Sequence, residues 1–158
     1  MLIVSDTSPI TNLIQINLLD ILKDVYQQII IPQSVYEELC EITSQKQLLD
    51  QQDWIYVISA ENTALVTSLE TELDTGESES IVLALELQVD FLIIDEVKGR
   101  LKAESMGIKI VGLLGTLLKA KNLGLIPTIA PVLEKLIIEA GFHINPQLKT
   151  HILKLAHE

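Results

Sequence analysis

Short apolar runs alternate along this chain with longer stretches in which apolar residues recur every three or four positions. Leu2 to Ser5 is an apolar run that ends at Asp6, the pattern of a buried strand. Ser8-Pro9 predicts a helix start, with Ser8 as cap and Pro9 in the first turn; Leu13, Ile16, Leu19 and Leu22 follow at helical spacing. Ile29 to Ile31 predicts a second strand, stopped by Pro32. Ser34 and Glu37 then stand at capping-box spacing, with Val35 and Leu39 four apart. Trp54 to Ile58 alternates weakly, as an edge strand does, and Thr63 to Leu73 predicts a helix. After a break at Thr75-Gly76, Glu77 to Leu87 predicts a helix and Phe91 to Ile94 a strand closing on Asp95. Val97 to Met106 predicts a helix stopped by Gly107, Ile108 to Val111 a strand, and Leu113 to Leu123 a helix stopped by Gly124. Two further helices are expected, one ending before Gly141 and one opening at Asn145-Pro146.

Strands alternating with helices imply an α/β fold: a parallel sheet of four or five strands with helices on both faces. In such sheets ligands bind beyond the carboxyl ends of the strands, where Asp6 and Asp95 both fall. At 158 residues the chain suits one domain, and with 48% hydrophobic residues it can bury a sizeable core. Aromatic residues are only 4%, so the core is Leu, Ile and Val. That scarcity disfavours modules that stack bases on exposed rings. No apolar run reaches the ~18 residues of a membrane span, and no secretory signal is seen, so a cytoplasmic location is expected.

Charge sharpens the picture. The net charge is −11, but residues 1–96 hold 18 acids and 2 bases, while residues 97–158 hold 4 acids and 9 bases. Cys40 is the single cysteine, which excludes disulfides and cysteine-rich zinc sites. His143, His151 and His157 are spaced eight and six apart, which does not stack two ligands on one helical face. No phosphate-cradling glycine motif and no nucleophile elbow occurs. Carboxylates remain. An acid ending a buried strand must be solvated, paired or bound to metal. Only Lys23 and Lys46 are available as bases in the first 96 residues. A cluster drawn from Asp6, Asp95 and the helix-borne Glu37, Glu38, Glu77 and Glu79 would repel itself unless a hard divalent cation, Mg²⁺ or Mn²⁺, relieved it. Such a site hydrolyses phosphodiesters.

Four segments carry a resemblance to PIN domains. Val4-Ser5-Asp6-Thr7-Ser8-Pro9 resembles their opening D-T-S motif. Ile30-Ile31-Pro32 with Val35-Tyr36-Glu37-Glu38-Leu39 is similar to their vP-x-x-V-x-x-E-L segment. Gly76 to Leu87 resembles the G-E-x-E-A-I-x-L-A-x-E-L helix of one prokaryotic branch, and Ile93 to Arg100 its L-I-D-E-x-x-G-R. Gly112 to Gly124 extends the match. The resemblance covers about residues 2–145, read as a PIN-like domain over 1–145, with 146–158 adding a C-terminal helix packed on it. It implies a three-layer α/β fold and Mg²⁺- or Mn²⁺-dependent ribonuclease chemistry, often as the toxin of a toxin–antitoxin pair. Carried over by position, the four acids are Asp6, Glu38, Glu79 and Asp95, with Glu77 and Glu96 as near alternatives. Ser8, Lys98, Arg100 and Lys102 are expected to contact RNA. The basic stretch from residue 97 to 121 holds six cations against the single acid Glu104. A small antitoxin protein is an expected partner. The apolar stripe Ile129, Val132, Leu133, Leu136 and Ile137 suggests a homodimer. The rival reading is a non-catalytic PIN-like module that binds nucleic acid or a protein.

Overall fold

The computed structural model describes residues 1–158. Its strands are β1 (Ile3–Ser5), β2 (Ile29–Pro32), β3 (Ile55–Ile58), β4 (Phe91–Ile93) and β5 (Ile110–Val111). Its helices are α1 (Thr7–Gln15), α2 (Asp20–Tyr26), α3 (Gln33–Leu39), α4 (Thr43–Asp50), α5 (Thr63–Leu69), α6 (Thr75–Leu87), α7 (Val97–Ser105), α8 (Leu113–Asn122), α9 (Ala130–Glu139) and α10 (Pro146–Leu155). The strands form one parallel sheet in the order β3-β2-β1-β4-β5. The chain builds outward from β1 to β3, then returns to place β4 on the other side of β1. The strand order therefore reverses between β1 and β4, where an open α/β sheet forms its ligand crevice.

The pleat sorts the apolar side chains into two layers. Ile3, Ile29, Ile31, Ile93 and Val111 join a core completed by α1, α2, α8, α9 and α10. Val4, Ile30 and Leu92 face the other way, onto a smaller core with Leu69 of α5, Ile81 to Ala84 of α6 and Ala103 of α7. The result is a three-layer α/β fold. In α6, Gly76, Glu77, Ser78 and Ser80 to Ala84 are all buried, so this helix is enclosed nearly all round. The α10 helix sets Ile152, and just beyond it Ala156, into the larger core.

Several elements differ from what the sequence predicts. Ser8 does not cap α1. The chain leaves β1 directly into the helix, Asp6 takes the cap position in extended conformation (φ −78°, ψ 176°), and Thr7 and Ser8 lie in the first turn. The apolar stripe from Leu13 to Leu22 is broken into α1 and α2 because Asn17 adopts a left-handed φ of 58°. Ser34 is not a capping residue either, since Pro32 holds that position in α3. Thr75-Gly76 is no break but the first turn of α6, capped by Asp74, whose side chain accepts from the Glu77 N–H. The α9 stripe expected to pair two copies is used inside the chain: Ile129, Val132, Leu133 and Leu136 all lie in the larger core.

Candidate active site

Asp6 follows β1 and Asp95 follows β4 closely, so the β1–β4 register places the two acids side by side at the crevice. The Asp6 N–H continues the ladder, donating to the Ile93 carbonyl at 2.9 Å. Glu38 comes from the far end of α3, and its Oε2 accepts from the Thr7 hydroxyl at 2.8 Å. Gly76 fills the gap behind them. A Cβ there would stand 3.3 Å from Glu38 Oε2, 3.4 Å from Asp6 Oδ1 and 3.5 Å from Thr7 Oγ1, which fixes how closely the three polar groups approach α6.

Asp95 is anchored by α8. Its Oδ1 accepts from the Leu113 N–H at 2.9 Å, at the positive end of that helix. The Arg100 Nη1 donates to the Ile94 carbonyl at 2.7 Å. Gly112 makes room for this cradle, because a Cβ there would lie 2.8 Å from both Arg100 Nη1 and Asp95 Oδ1. The second Asp95 oxygen, Oδ2, is buried without a partner.

Glu77 and Glu79 separate as a two-residue step on a helix requires, about 200° apart. Glu77 is buried beside Asp6 and Asp74, with Oε2 unpartnered, and lies close to α7 only because residue 99 is glycine; a Cβ there would meet Glu77 Oε2 at 2.6 Å. Glu79 points elsewhere. Its Oε1 accepts from the Ser34 N–H and hydroxyl at 2.9 and 2.6 Å, and its Oε2 from the Ala60 N–H at 3.0 Å. Ser34, which carries the sequence signature of a cap, thus serves as the docking point for Glu79. Two turns on, Glu86 likewise receives the N–H groups of Glu61 and Asn62. The two acids clamp the loop after β3 to α6.

The electrostatics follow from this crowding. Burial, with Asp74, Glu38 and Asp95 nearby, pushes the Asp6 carboxyl up from 3.8 to about 7, against the pull of the Thr7 N–H. Burial and Asp74, with a smaller push from Asp6, raise Glu77 from 4.5 to about 8. Burial also raises Asp95, opposed by the Leu113 N–H and Arg100. None of the four salt bridges in the protein reaches Asp6, Glu38, Glu77 or Asp95. Asp74 was not singled out in the sequence. Its signal is the Asp74-to-Glu77 spacing, that of a helix N-terminus with an acid three residues on.

A crevice of about 1020 Å³ opens over Glu38 and Asp95. Thr7, Ser8, Thr11 and Asn12 of α1 line one side, Glu96, Val97 and Arg100 another, and Phe142, His143, Leu148 and Ile152 close it. Of the residues expected to touch RNA, Ser8 and Arg100 line this crevice; Lys98 and Lys102 do not. Lys98 is exposed on α7, and Lys102 pairs with Glu72 at 3.1 Å. Glu96 is exposed at the rim.

The donor set suits a hard divalent cation: carboxylate oxygens only, two of them buried and unpartnered, and no cation paired to Asp6 or Glu38. As the side chains stand, no three acids converge closely enough to hold a metal ion. No helix is long and apolar enough to cross a membrane.

A five-stranded parallel α/β sheet with acids gathered where its strand order reverses defines an open α/β protein with an acid-lined crevice. The family model DUF3368, described as a PIN domain, matches residues 2–158, and the chain belongs to that family. The match includes α10. PIN domains point to nuclease chemistry, nucleic acid as partner and divalent metals as cofactors. No curated protein matches the chain.

Proposed function

We propose that this chain is a Mg²⁺- or Mn²⁺-dependent ribonuclease that hydrolyses RNA phosphodiesters at the Asp6–Asp95 crevice. The observation that carries the reading is the group of acids around Asp6, none of them in a salt bridge and with buried, unpartnered oxygens on Glu77 and Asp95. Structural stability alone gives no reason to gather them, since like charges in a buried site destabilise the fold. Asp6, Glu38 and Asp95 would hold the cation. Glu77, next to Asp6, is the better fourth acid, because Glu79 is occupied by Ser34 and Ala60. A cation bound there supplies charge neutralisation for the phosphate and acidifies water for attack on phosphorus.

The protein's own part is to position and exclude. Thr7 fixes the Glu38 carboxylate by its hydroxyl, and Leu113 N–H fixes that of Asp95. Without a cation Asp6 keeps its proton near neutral pH, so loading the site means losing that proton. Arg100, at the crevice wall, is the one cation positioned to meet a phosphate there.

Action as the toxin of a toxin–antitoxin pair, with a small protein partner, and pairing of two copies belong to the same proposal. The α9 stripe is in the core, so either contact would need other surface. Tyr56, Val57 and Ile58 on edge strand β3 are three consecutive exposed apolar residues that could provide it. One observation favours the non-catalytic alternative: no three acids meet at one point. Titration with Mn²⁺, followed by cleavage of single-stranded RNA, tests the choice. Saturable Mn²⁺ binding and cleavage, both lost in Asp6→Asn, are expected. Absence of Mn²⁺ binding by the wild type would favour the non-catalytic module.

A further inference from the structure

The sheet is left open along β3. Its register pairs Ile29 with Ile55 and Ile31 with Val57, and the Ile29 N–H donates to the Trp54 carbonyl at 3.0 Å. Backbone groups of successive residues in a strand point to opposite sides, so Trp54, Tyr56 and Ile58 turn theirs toward β2. Ile55 and Val57 therefore turn their N–H and C=O groups away from the sheet, on the side where no strand follows. No turn or loop bonds to them there. The side chains around them are also in reach of solvent: Tyr56 is 49% exposed, Val57 40% and Ile58 39%.

Proteins guard such an edge with lysine, proline, a bulge or a covering element, because unpaired backbone invites another strand. The four residues of β3 carry no charge and no proline. The surroundings say which strand is invited. From residue 47 to residue 97 the chain holds twelve acids and no lysine or arginine. Asp53 stands exposed just before β3, and Glu61 and Glu86 stand exposed just after it, with the Glu61 N–H donating to Glu86. None of these three acids is in a salt bridge. A second copy is a poor occupant. Pairing two β3 strands antiparallel about Val57 would set Asp53 of each toward Glu61 of the other, and like charges placed opposite one another destabilise a sheet.

We propose that the β3 edge takes up an extended basic segment of a partner protein as an added strand of the sheet. The outward backbone groups of Ile55 and Val57 supply the main-chain bonds, which give affinity without regard to sequence. Apolar side chains of the segment lie beside Tyr56 and Ile58 on one face and beside Val57 on the other, since neighbours in a strand alternate. Lysines or arginines flanking that apolar centre meet Asp53 at one end and Glu61 and Glu86 at the other, which selects the partner by charge. The proposal rests on the reading above only in that a protein partner exists. No β3 residue lines the crevice, so metal binding and cleavage are separate readouts.

The test is fluorescence anisotropy on the full chain with a labelled peptide of three valines flanked by two lysines on each side, and a twin with glutamates in place of the lysines. The basic peptide should bind saturably, about tenfold or more tighter than the twin, and more weakly as salt rises. N-methylating either the central valine or its two neighbours blocks one side of the peptide backbone; one of these peptides should lose binding and the other keep it. Val57→Lys guards the edge and leaves its pairing with β2 intact, so it should weaken the basic peptide about tenfold. The same variant should leave Mn²⁺ binding and RNA cleavage unchanged. No binding of the basic peptide, equal binding of the twin, binding that survives both methylations, or binding indifferent to Val57→Lys overturns the proposal. A dimer in light scattering that Val57→Lys turns into a monomer would give the edge to a second copy and overturn it as well. Absence of RNA cleavage by a wild type that binds the basic peptide overturns the ribonuclease reading alone.

Discussion

Replacing Asp6 by Asn should stabilise the metal-free protein at neutral pH and above, and should do nothing at pH 4. The carboxyl is raised from 3.8 to about 7, chiefly by burial and then by the neighbouring acids. Between those values the folded chain keeps a proton that the unfolded chain has released. Stability therefore falls as pH rises through this window, because the native state binds the extra proton. At about 1.4 kcal/mol per pH unit, the accumulated loss by pH 7.5 is about 4 kcal/mol. Asparagine has the same shape and no charge to bury, so it avoids this loss. Some relaxation around the charged form is expected, and a gain of about 2–4 kcal/mol at pH 7.5 is the outcome expected for Asp6→Asn. Urea denaturation in EDTA at pH 4, 6, 7.5 and 8.5 measures it. The difference between mutant and wild type should grow from pH 4 to about pH 7 and then level off, since contributions from Glu77 and Asp95 are largely common to both. Adding Mn²⁺ should then raise the wild-type midpoint and leave the mutant's nearly unchanged, by mass action on the native state. A mutant equally stabilised at every pH, or one destabilised at pH 7.5, would refute the reasoning.

The remaining predictions concern other positions. Glu79→Gln should destabilise the fold by about 1–3 kcal/mol in chemical denaturation, because the Ser34 hydroxyl, Ser34 N–H and Ala60 N–H lose a charged acceptor. Glu77→Gln should instead raise metal-free stability at pH 8 and weaken Mn²⁺ binding measured by calorimetry; the opposite ordering would restore Glu79 as the ligand. Ser80→Ala should stabilise by about 1 kcal/mol in the same melts, since the Ser80 hydroxyl is fully buried without a partner; a loss of stability would mean the hydroxyl is satisfied. Changing Lys98 and Lys102 together to Ala should reduce the salt slope of RNA binding by about 0.7 rather than twice that, because Lys102 is engaged with Glu72; a change near 1.4 would put both lysines on the strand.

Much of this architecture could be read from apolar periodicity. All five strands and most of the helices stand where the runs of Ile, Leu and Val predict them, and Asp6 and Asp95 are marked by their place just past buried strands. What the sequence misreads is local and polar. Ser8 and Ser34 have the residue type and spacing of caps, but a cap is defined by backbone conformation. At both places the strand runs into the helix two residues earlier. In a linear reading Glu79 is the fitting acid by position and Glu77 its near alternative. Only the rotation of α6 against the sheet decides that one faces Asp6 and the other the loop at Ala60. The stripe on α9 has the same pattern whether it covers a core or a second copy, so periodicity cannot tell these apart. The C-terminal wall of Phe142 and His143 depends on a contact between residues far apart in the chain and leaves no local signature.

The parallel pairing of β1 with β4 joins Ile3 to Phe91, Val4 to Leu92 and Ser5 to Ile93. It is the most distant strand pairing in the sheet, and pairings of this kind form slowly because a long loop must close first. Until it forms, β1 presents an open apolar edge, and Asp6 has no Asp95 beside it. On the ribosome the emerging chain would thus lack the Asp6–Asp95 pair until β4 has been made, and the crevice would form in a single late step, when the second half of the sheet docks. A protease cut between the two strands would not remove one acid or the other, yet it would turn that docking step into an encounter between two separate chains.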